Sequence, residues 1–314
     1  MKPIRSGWGR PVPARDHAGV HPRRSGRIAA AAAAAALAAG LSGCGGTATA
    51  TPGQPAEVPR PSHVVIVMEE NHGFANIIGS PQAPYINSLA AQGALFTDSS
   101  AVAHPSTPNY LALFSGSTHG ITDDHCPRTF AGDNLGSQLA AAGQSFTGYA
   151  EGLPHPGYLG CTAGEYARRH TPWTDFTAVP ATASQPFTAF PQDYSSLPAV
   201  SMVIPNVLDD MHDGGVGTAD TWLQQNLDGY AHWAKAHNSL LILSWDEDDD
   251  KHANRIPTIF VGAHIRPGQY SEPIDPYRLL RTIEAAYGLP PLGHAADTQP
   301  ITDIWTTGPA PASP

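Results

Sequence analysis

The sequence has little positive charge. Lysine and arginine account for 17 of its 314 residues, against 27 aspartate and glutamate residues. Seven of the basic residues precede residue 44, so the rest of the chain carries ten basic residues and 26 acidic ones. A domain this acidic does not bind nucleic acid through a general basic surface. A polyanionic substrate would need a local positive centre, either a metal ion or a cluster of histidines.

The sequence also lacks the phosphate-binding and nucleophile motifs of two large groups of α/β proteins. It contains no Walker sequence, no other glycine-rich phosphate loop and no G-x-S-x-G elbow. These absences disfavour a nucleotide-binding fold and an α/β-hydrolase.

The apolar run at residues 28–41 is too short for a comfortable transmembrane helix. It is mostly alanine and follows three arginines within residues 23–27. A charged segment before a short apolar one is typical of an export signal. Its end, "LSGC", matches the lipobox pattern of lipoproteins, with Cys44 as the lipidated residue. We therefore expect residues 1–43 to be a lipoprotein-type export signal, and the protein to be exported, either anchored to the outer face of the cytoplasmic membrane or secreted.

Cysteine is scarce, with three residues in the chain. If Cys44 takes the lipid, Cys126 and Cys161 remain as a pair. Outside the cytoplasm we expect a disulfide between these two, with a pair of free thiols as the alternative.

Composition divides the remainder of the chain into three parts. Residues 44–62 are rich in glycine, threonine, alanine and proline, which predicts a flexible tether. Residues 63–306 contain no strong linker and are enough for one large domain with a sizeable core. Residues 307–314 are predicted to be a disordered tail.

Apolar runs alternate with helical patterns along this domain. Near-continuous apolar runs predict buried strands at residues 63–71, 197–206, 240–245 and 258–261. Helical spacing predicts helices at residues 83–93, 217–237 and 275–288, among others. We therefore predict an α/β fold, with a mostly parallel sheet flanked by helices on both faces. Ligands of such folds bind beyond the carboxyl ends of the strands.

Polar side chains follow three of the predicted strands. Glu70 and Asn71 lie at the end of the first, an Asn-, Asp- and His-rich loop at residues 206–213 follows the second, and five acids at residues 246–250 follow the third. Carboxylate and amide oxygens suit a divalent cation, although turns and solvated acidic loops have the same composition. We expect the acids nearest the strand to bind a cation, and residues 248–250 to face solvent.

The segment "HPSTPN" places a hydroxyl at the start of a predicted helix. Ser106 or Thr107 could simply cap this helix. Alternatively, a hydroxyl activated by a metal or base could act as a nucleophile, at a helix end that favours phosphate. Histidines nearby could bind a phosphoryl oxygen or protonate a leaving group. Carboxylates, a hydroxyl and histidines together are what metal-assisted phosphoryl transfer requires.

Four segments in this order resemble one family. They are "HVVIVMEENHGFANIIG", "HPSTPNYLALFSGSTHG", "IPNVLDDMHD" and "SWDEDDDKHANRIPTIFVG". Together they resemble the phosphoesterase family of bacterial acid phosphatases and non-specific phospholipases C, within the alkaline-phosphatase-like superfamily. The resemblance implies an alkaline-phosphatase-like fold and one divalent metal ion. The implied metal ligands are Glu70, Asn71, Ser106, Asp246 and Glu247.

The resemblance also implies roles in catalysis. Alignment on the Pro-Asn pair that follows makes Ser106 the nucleophile, which would form a phosphoserine intermediate. His212 resembles the family histidine that contacts phosphate, and His104 is a second candidate for protonating the leaving oxygen. Substrate contacts are expected from Asn71, His212 and His252. The identity of the metal stays open among Ca²⁺, Mg²⁺, Mn²⁺ and Zn²⁺.

The acidic run favours one branch of the family. Phospholipases C have Asp-Glu-Gly-Gly-Gly-Phe after the strand, whereas this chain has Asp-Glu-Asp-Asp-Asp and a shorter domain, as in the small phosphatases. We therefore expect acid phosphatase-like hydrolysis of phosphomonoesters, on a small phosphate-ester substrate, by a protein attached to the membrane through Cys44. A phospholipase C or phosphodiesterase is the alternative enzyme. A lipoprotein that binds a solute without catalysis is the alternative from another class.

Overall fold

The computed structural model describes residues 58–306. The predicted export signal, the lipidation of Cys44, most of the tether and the predicted tail lie outside the described residues. Within residues 58–306, no helix combines the length and the apolar character needed to cross a membrane.

The described chain alternates strands and helices. The strands are β1 His63–Glu69, β2 Ala94–Ser100, β3 Phe146–Ala150, β4 Thr162–Ala163, β5 Tyr166–Ala167, β6 Ser184–Pro186, β7 Val200–Ile204, β8 Ser239–Trp245, β9 Arg255–Gly262 and β10 Gly268–Tyr270. The α-helices are α1 Phe74–Ile77, α2 Pro84–Gln92, α3 Ser106–Ser115, α4 Leu135–Ala141, α5 Val216–Ala236 and α6 Pro276–Tyr287. Two single-turn 3₁₀ helices, Arg168–His170 and Pro172–Asp175, follow β5.

Eight of these strands form one sheet, in the order β10-β2-β9-β8-β1-β7-β3-β6. Neighbouring strands are parallel except at β9, which is antiparallel to both β2 and β8. The mostly parallel sheet predicted from the sequence is therefore confirmed. Because β1, β7 and β8 run side by side in one direction, the loops that follow them meet at one rim of the sheet.

Helices cover both faces of the sheet, as predicted. The even-numbered residues of β1 from Val64 to Met68 belong to a core shared with α3, α4 and α6, while Val65 and Val67 pack with α2 and α5. Each fully buried valine or isoleucine contributes roughly 1.5–3 kcal/mol of hydrophobic stabilisation. Burial on both faces explains why β1 is an unbroken apolar run, and it fixes the position of the acids that follow.

A disulfide joins Cys126 to Cys161, with their Cα atoms 5.8 Å apart. The bonded pair predicted from the sequence is confirmed. The bond links the loop after α3 to the residue that directly precedes β4.

Candidate active site

The turn before α3 is held by two asparagine side chains. The Asn109 Oδ1 accepts hydrogen bonds from the backbone N–H groups of Val102 and Ala103, at 2.9 and 3.0 Å. Its Nδ2 donates to the carbonyls of Ala103 and Pro105. From the other side, the Nδ2 of Asn254 donates to the same Ala103 carbonyl at 2.8 Å. These contacts fix the direction in which the chain enters α3.

Ser106 is the first residue of α3 and is 1 % exposed. The helix-cap interpretation of Ser106 or Thr107 is wrong, because Pro105 occupies the N-cap position. The Ser106 hydroxyl instead lies between two carboxylates. Its Oγ is 3.1 Å from Glu70 Oε2 and 3.1 Å from Glu247 Oε1. A hydroxyl has one proton, so the two carboxylates share a single donor.

Glu70 is fully buried directly after β1, and two rings lie against its carboxylate. The Tyr110 hydroxyl donates to its Oε1 at 2.6 Å, and the His170 Nε2 lies 3.1 Å from the same oxygen. Burial raises the pKa of Glu70 well above its ordinary value, and the charges of Asp246 and Asp210 raise it further, while the Tyr110 hydrogen bond opposes them. An ionised Glu70 therefore requires more positive charge than these neighbours supply.

Asp246 lies beside Glu70 and is oriented by the backbone. Its Oδ1 accepts from the N–H of Asn71 at 3.2 Å and of Glu247 at 2.7 Å. Asn71 donates here because its backbone is left-handed, with a φ of 52°, a conformation that asparagine adopts more readily than most residues. Burial and the charge of Glu247 raise the pKa of Asp246 well above its ordinary value.

The carboxylates fit a bound cation. Glu70, Asp246 and Glu247 are at most 5 % exposed, and all three have raised pKa values because burial disfavours their charge. Asp246 Oδ2 is buried without a hydrogen bond. Buried charges of one sign without partners are costly unless a positive charge lies among them. With the Ser106 hydroxyl, these atoms form an all-oxygen ligand set suited to a divalent cation.

His104 lies at the mouth of this cluster, with its side chain 34 % exposed. Its Nδ1 is 2.5 Å from Glu247 Oε2, and its Nε2 is 3.3 Å from Asp248 Oδ1. The imidazole therefore reaches both the buried carboxylates and solvent, so it can exchange protons between them.

Asp248 is buried, so the expectation that residues 248–250 all face solvent is wrong for this residue. Its carboxylate accepts from three backbone N–H groups, those of Asp250, His252 and Asn254, at 2.7–2.9 Å. The loop must turn back sharply to start the antiparallel strand β9, and Asp248 satisfies the backbone donors that this turn exposes.

The other two predicted histidines form no hydrogen bond with Ser106 within residues 58–306. His252 pairs with Asp249, with its Nδ1 2.7 Å from Oδ1. His212 pairs with Asp213, with its Nδ1 2.7 Å from Oδ1. The His212 ring also lies 5.6 Å, centroid to centroid, from that of His170.

A second group of ligand atoms shares Glu70 with the first. Glu70, His170 and His212 each offer one atom, and these atoms lie within 4.8 Å of one another. His170 is 1 % exposed and stacks on Tyr110, and its Nδ1 lies 3.3 Å from Asp210 Oδ2. Burial lowers the pKa of His170, and burial raises that of Asp210 to about 7. Imidazole nitrogens next to a carboxylate extend the range of metals that the site could hold.

Sequence reasoning assigned no role to several residues of the site, which are Tyr110, Asp124, Arg169, His170 and Asp210. Tyr110 had a signal, because it lies four residues after Ser106 and hence on the same face of α3. Asp124 accepts from the Thr107 N–H at 2.9 Å. Arg169 and His170 lie in the 3₁₀ helix Arg168–His170, and no periodic pattern in the sequence indicates a role for them.

Comparison with known proteins agrees with this geometry. Residues 80–290 match the Phosphoesterase family. The chain belongs to the phosphoesterase family. A phosphatidylinositol-3-phosphatase of Mycobacterium tuberculosis is 55 % identical over 251 residues, covering 79 % of this chain and 84 % of that protein. A phosphate-repressible acid phosphatase of Penicillium chrysogenum is 29 % identical over 229 residues, and the match covers 66 % of this chain but only 55 % of the fungal protein.

Solved structures resemble this phosphoesterase in fold. A protein of the alkaline phosphatase superfamily from Vibrio parahaemolyticus matches with a TM-score of 0.55 at 12 % identity, covering 79 % of this chain and 72 % of the other. A lipoteichoic acid synthase from Listeria monocytogenes matches with a TM-score of 0.53 at 11 % identity, covering 75 % and 74 %. The alkaline-phosphatase-like fold is therefore confirmed. The family and its phosphatase relatives make this phosphoesterase a phosphoric ester hydrolase.

Proposed function

We propose that this phosphoesterase hydrolyses phosphomonoesters, with Ser106 as the nucleophile and a phosphoserine intermediate. The observation that carries this proposal is the position of the Ser106 Oγ, 3.1 Å from both Glu70 and Glu247. Glu70, Asp246 and Glu247, with Asn71 beside them, would hold one divalent cation. When bound, the cation would offset the carboxylate charges, lower the pKa of the serine hydroxyl and neutralise phosphate oxygens.

The chain's own groups can carry the first half of the reaction. A carboxylate next to Ser106 accepts the hydroxyl proton while the oxygen attacks phosphorus in line with the leaving alcohol. The start of α3, where Ser106 lies, favours the negative charge that develops on the phosphoryl group. The fixed turn before α3 limits the movement of the nucleophile, so that Ser106 loses little conformational entropy when the transition state is reached.

His104 is the better placed of the two histidines to protonate the leaving oxygen. It touches Glu247, which touches the nucleophile, and it is open to solvent. The Nε2 of His212 accepts a hydrogen bond from the guanidinium of Arg169 at 3.0 Å, so this nitrogen carries no proton that it could donate to the leaving oxygen. After the alcohol leaves, water replaces it, and His104 can take a proton from that water as phosphoserine is hydrolysed.

The relatives support a monoester substrate over a diester. The name of the mycobacterial relative describes a phosphatase that acts on the 3-phosphate of a lipid headgroup, and the fungal relatives are named acid phosphatases. Hydrolysis of a phosphomonoester, including one on a lipid headgroup, is therefore our proposal for this chain. An anchor at Cys44 would hold such an enzyme near lipid substrates, and this stays a prediction.

A pair of variants tests the nucleophile. Ser106→Ala is expected to lower kcat on 4-nitrophenyl phosphate by at least about 10⁴-fold, the scale seen when a nucleophile is removed. Thr107→Val removes the neighbouring hydroxyl at equal volume and is expected to retain turnover. Acid quenching of the wild type, followed by peptide mass spectrometry, should recover phosphate on Ser106. Wild-type turnover in Ser106→Ala, or loss of turnover only in Thr107→Val, would refute the assignment.

The same assay separates an enzyme from a solute-binding lipoprotein. Purified wild-type protein is expected to lose turnover in excess chelator and to regain it when a divalent cation is restored. Binding of phosphate esters without any turnover, with every cation tried, would favour the non-catalytic alternative. Faster hydrolysis of a phosphocholine diester than of the monoester would favour the phospholipase.

A further inference from the structure

Arg169 lies at the rim of the candidate active site. Its Nη2 is 3.0 Å from the Nε2 of His212. A guanidinium has five donors and no acceptor, so it donates and the His212 Nε2 accepts. The proton of His212 is then on Nδ1, which faces Asp213 Oδ1 at 2.7 Å. This hydrogen bond holds a permanent positive charge next to His212.

Its sequence neighbour shows what a structural arginine looks like in this fold. Arg168 is 5 % exposed and pairs with the buried carboxylate of Asp175 at 2.9 Å. Its remaining donors reach the side-chain hydroxyl and the backbone carbonyl of Thr174, and the carbonyls of Leu159 and Arg128. Among residues 58–306, the Arg169 side chain has His212 as its single hydrogen-bond partner. Most of its donors are therefore free to bind a ligand.

A short chain of contacts connects Arg169 to the nucleophile. Arg169 Nη2 is 3.0 Å from His212 Nε2, and ligand atoms of His212 and Glu70 lie within 4.8 Å of each other. Glu70 Oε2 is in turn 3.1 Å from Ser106 Oγ. Arg169 is therefore close enough to interact with a substrate whose phosphoryl group is in front of Ser106.

The buried carboxylates of the site repel anions. Glu70, Asp210, Asp246, Glu247 and Asp248 are all buried around the site, and one divalent cation offsets the charge of only two carboxylates. The transferred phosphoryl group would lie at that cation. A second anionic group elsewhere on the substrate would meet uncompensated acids, unless it lies against Arg169.

We propose that Arg169 determines specificity, by binding a second anionic group on the leaving alcohol of the substrate. The proposal rests on the proposed phosphomonoesterase function and narrows its substrate class. The preferred substrates would be phosphomonoesters of polyols that also carry a phosphodiester or another fixed negative charge. Arg169 contacts His212, which in turn lies next to Glu70; in this proposal the guanidinium therefore binds the alcohol part of the substrate, while the cation binds the phosphoryl group.

Two soluble substrates that share a leaving ring test this. Glycerophosphoinositol 3-phosphate carries a monoester and a phosphodiester, whereas inositol 3-phosphate carries only the monoester. We expect wild-type kcat/KM to favour the first, mainly through KM. Arg169→Met should reduce this preference by about 10- to 100-fold, the range for a lost charge-assisted hydrogen bond. Arg169→Lys should restore part of it, because lysine keeps the charge without the planar fork.

Two controls accompany these variants. Lys235→Met removes one positive charge near the start of β8, at the opposite end of the sheet, and should leave the preference unchanged. The wild-type preference itself should fall as salt is raised, because salt screens a partly exposed contact. This measurement remains valid even if Arg169→Met does not fold.

The outcomes separate the two proposals. If wild-type protein hydrolyses both substrates without preference, or if Arg169→Met loses both activities equally, the Arg169 proposal is wrong and the proposed function stands. If wild-type protein hydrolyses neither of these substrates nor 4-nitrophenyl phosphate, both proposals are wrong.

Discussion

Glu70 and Glu247 make the sharpest prediction, because the structure brings their carboxylates to one hydroxyl. Each has an oxygen 3.1 Å from Ser106 Oγ, so those two oxygens are at most about 6 Å apart. At an effective dielectric constant of about 20, two unit charges at that distance repel by about 3 kcal/mol. Without a cation, this repulsion destabilises the fold.

Glu247→Gln removes the repulsion and keeps the shape of the side chain. The variant also loses the contact between the buried Glu247 carboxylate and the partly exposed His104 imidazole, which contributes about 1 kcal/mol. In excess chelator at mildly alkaline pH, we therefore expect Glu247→Gln to be more stable than the wild type by about 2 kcal/mol. That difference corresponds to a Tm higher by about 4–8 °C.

The advantage of Glu247→Gln should depend on pH. Burial raises the pKa values of Glu70 and Glu247 in the folded protein, so the folded state holds protons that the unfolded state has released. The wild type then loses stability as pH rises above the ordinary carboxyl range near about 4 and through the raised folded values. The variant has one such group fewer, so its advantage should grow across this window and vanish at acid pH.

Urea unfolding followed by circular dichroism, in chelator and in excess divalent cation, measures both effects. Cation should stabilise the wild type, by about 2.7 kcal/mol at a hundredfold excess over Kd, and should stabilise the variant less. A variant that is less stable than the wild type in chelator at every pH would show that these carboxylates do not repel. Equal stabilisation of both proteins by cation would remove Glu247 from the ligand set.

Two further predictions concern the proton donor and the disulfide. His104→Gln should slow hydrolysis of alkyl phosphates by about 10²- to 10⁴-fold, the contribution of a general acid, and should affect 4-nitrophenyl phosphate far less because that leaving group needs no proton. If His212→Gln shows the larger dependence on the leaving group, the two histidine roles are reversed. Replacing Cys126 and Cys161 with serine should cost about 3–4 kcal/mol, from the 35-residue separation that the bond closes. Unchanged urea unfolding in that double variant would contradict the bond.

Periodic elements of the fold could be predicted from the sequence. The run at residues 63–71 became β1 His63–Glu69, and the amphipathic segment at residues 217–237 became α5 Val216–Ala236. The strand β2 Ala94–Ser100 was not predicted, because it is apolar only in its first half, "ALF". Nor could the direction of β9 be predicted, because an apolar run has the same pattern in a parallel and an antiparallel strand.

Some residues of the candidate site could likewise be predicted from the sequence, and others could not. Glu70, Asp246 and Glu247 follow strands, and Ser106 starts a helix, so the topology of a parallel sheet was enough to bring them together. Arg169 and His170 lie in a single 3₁₀ turn whose position depends on contacts with α3, and no local pattern reports such contacts. The burial of Asp248 could not be predicted, because it depends on backbone donors that only the folded loop exposes.

The two asparagines that hold the carbonyl of Ala103 have a consequence for how the protein is assembled. Amide side chains do not titrate, so the contacts from Asn109 and Asn254 persist whether or not an ion is bound and at any pH at which the domain is folded. The position of Ser106 would thus be set by the fold before any ion binds. If the site holds the proposed cation, we expect protein treated with chelator to keep Ser106 in place and to recover as soon as the cation is returned.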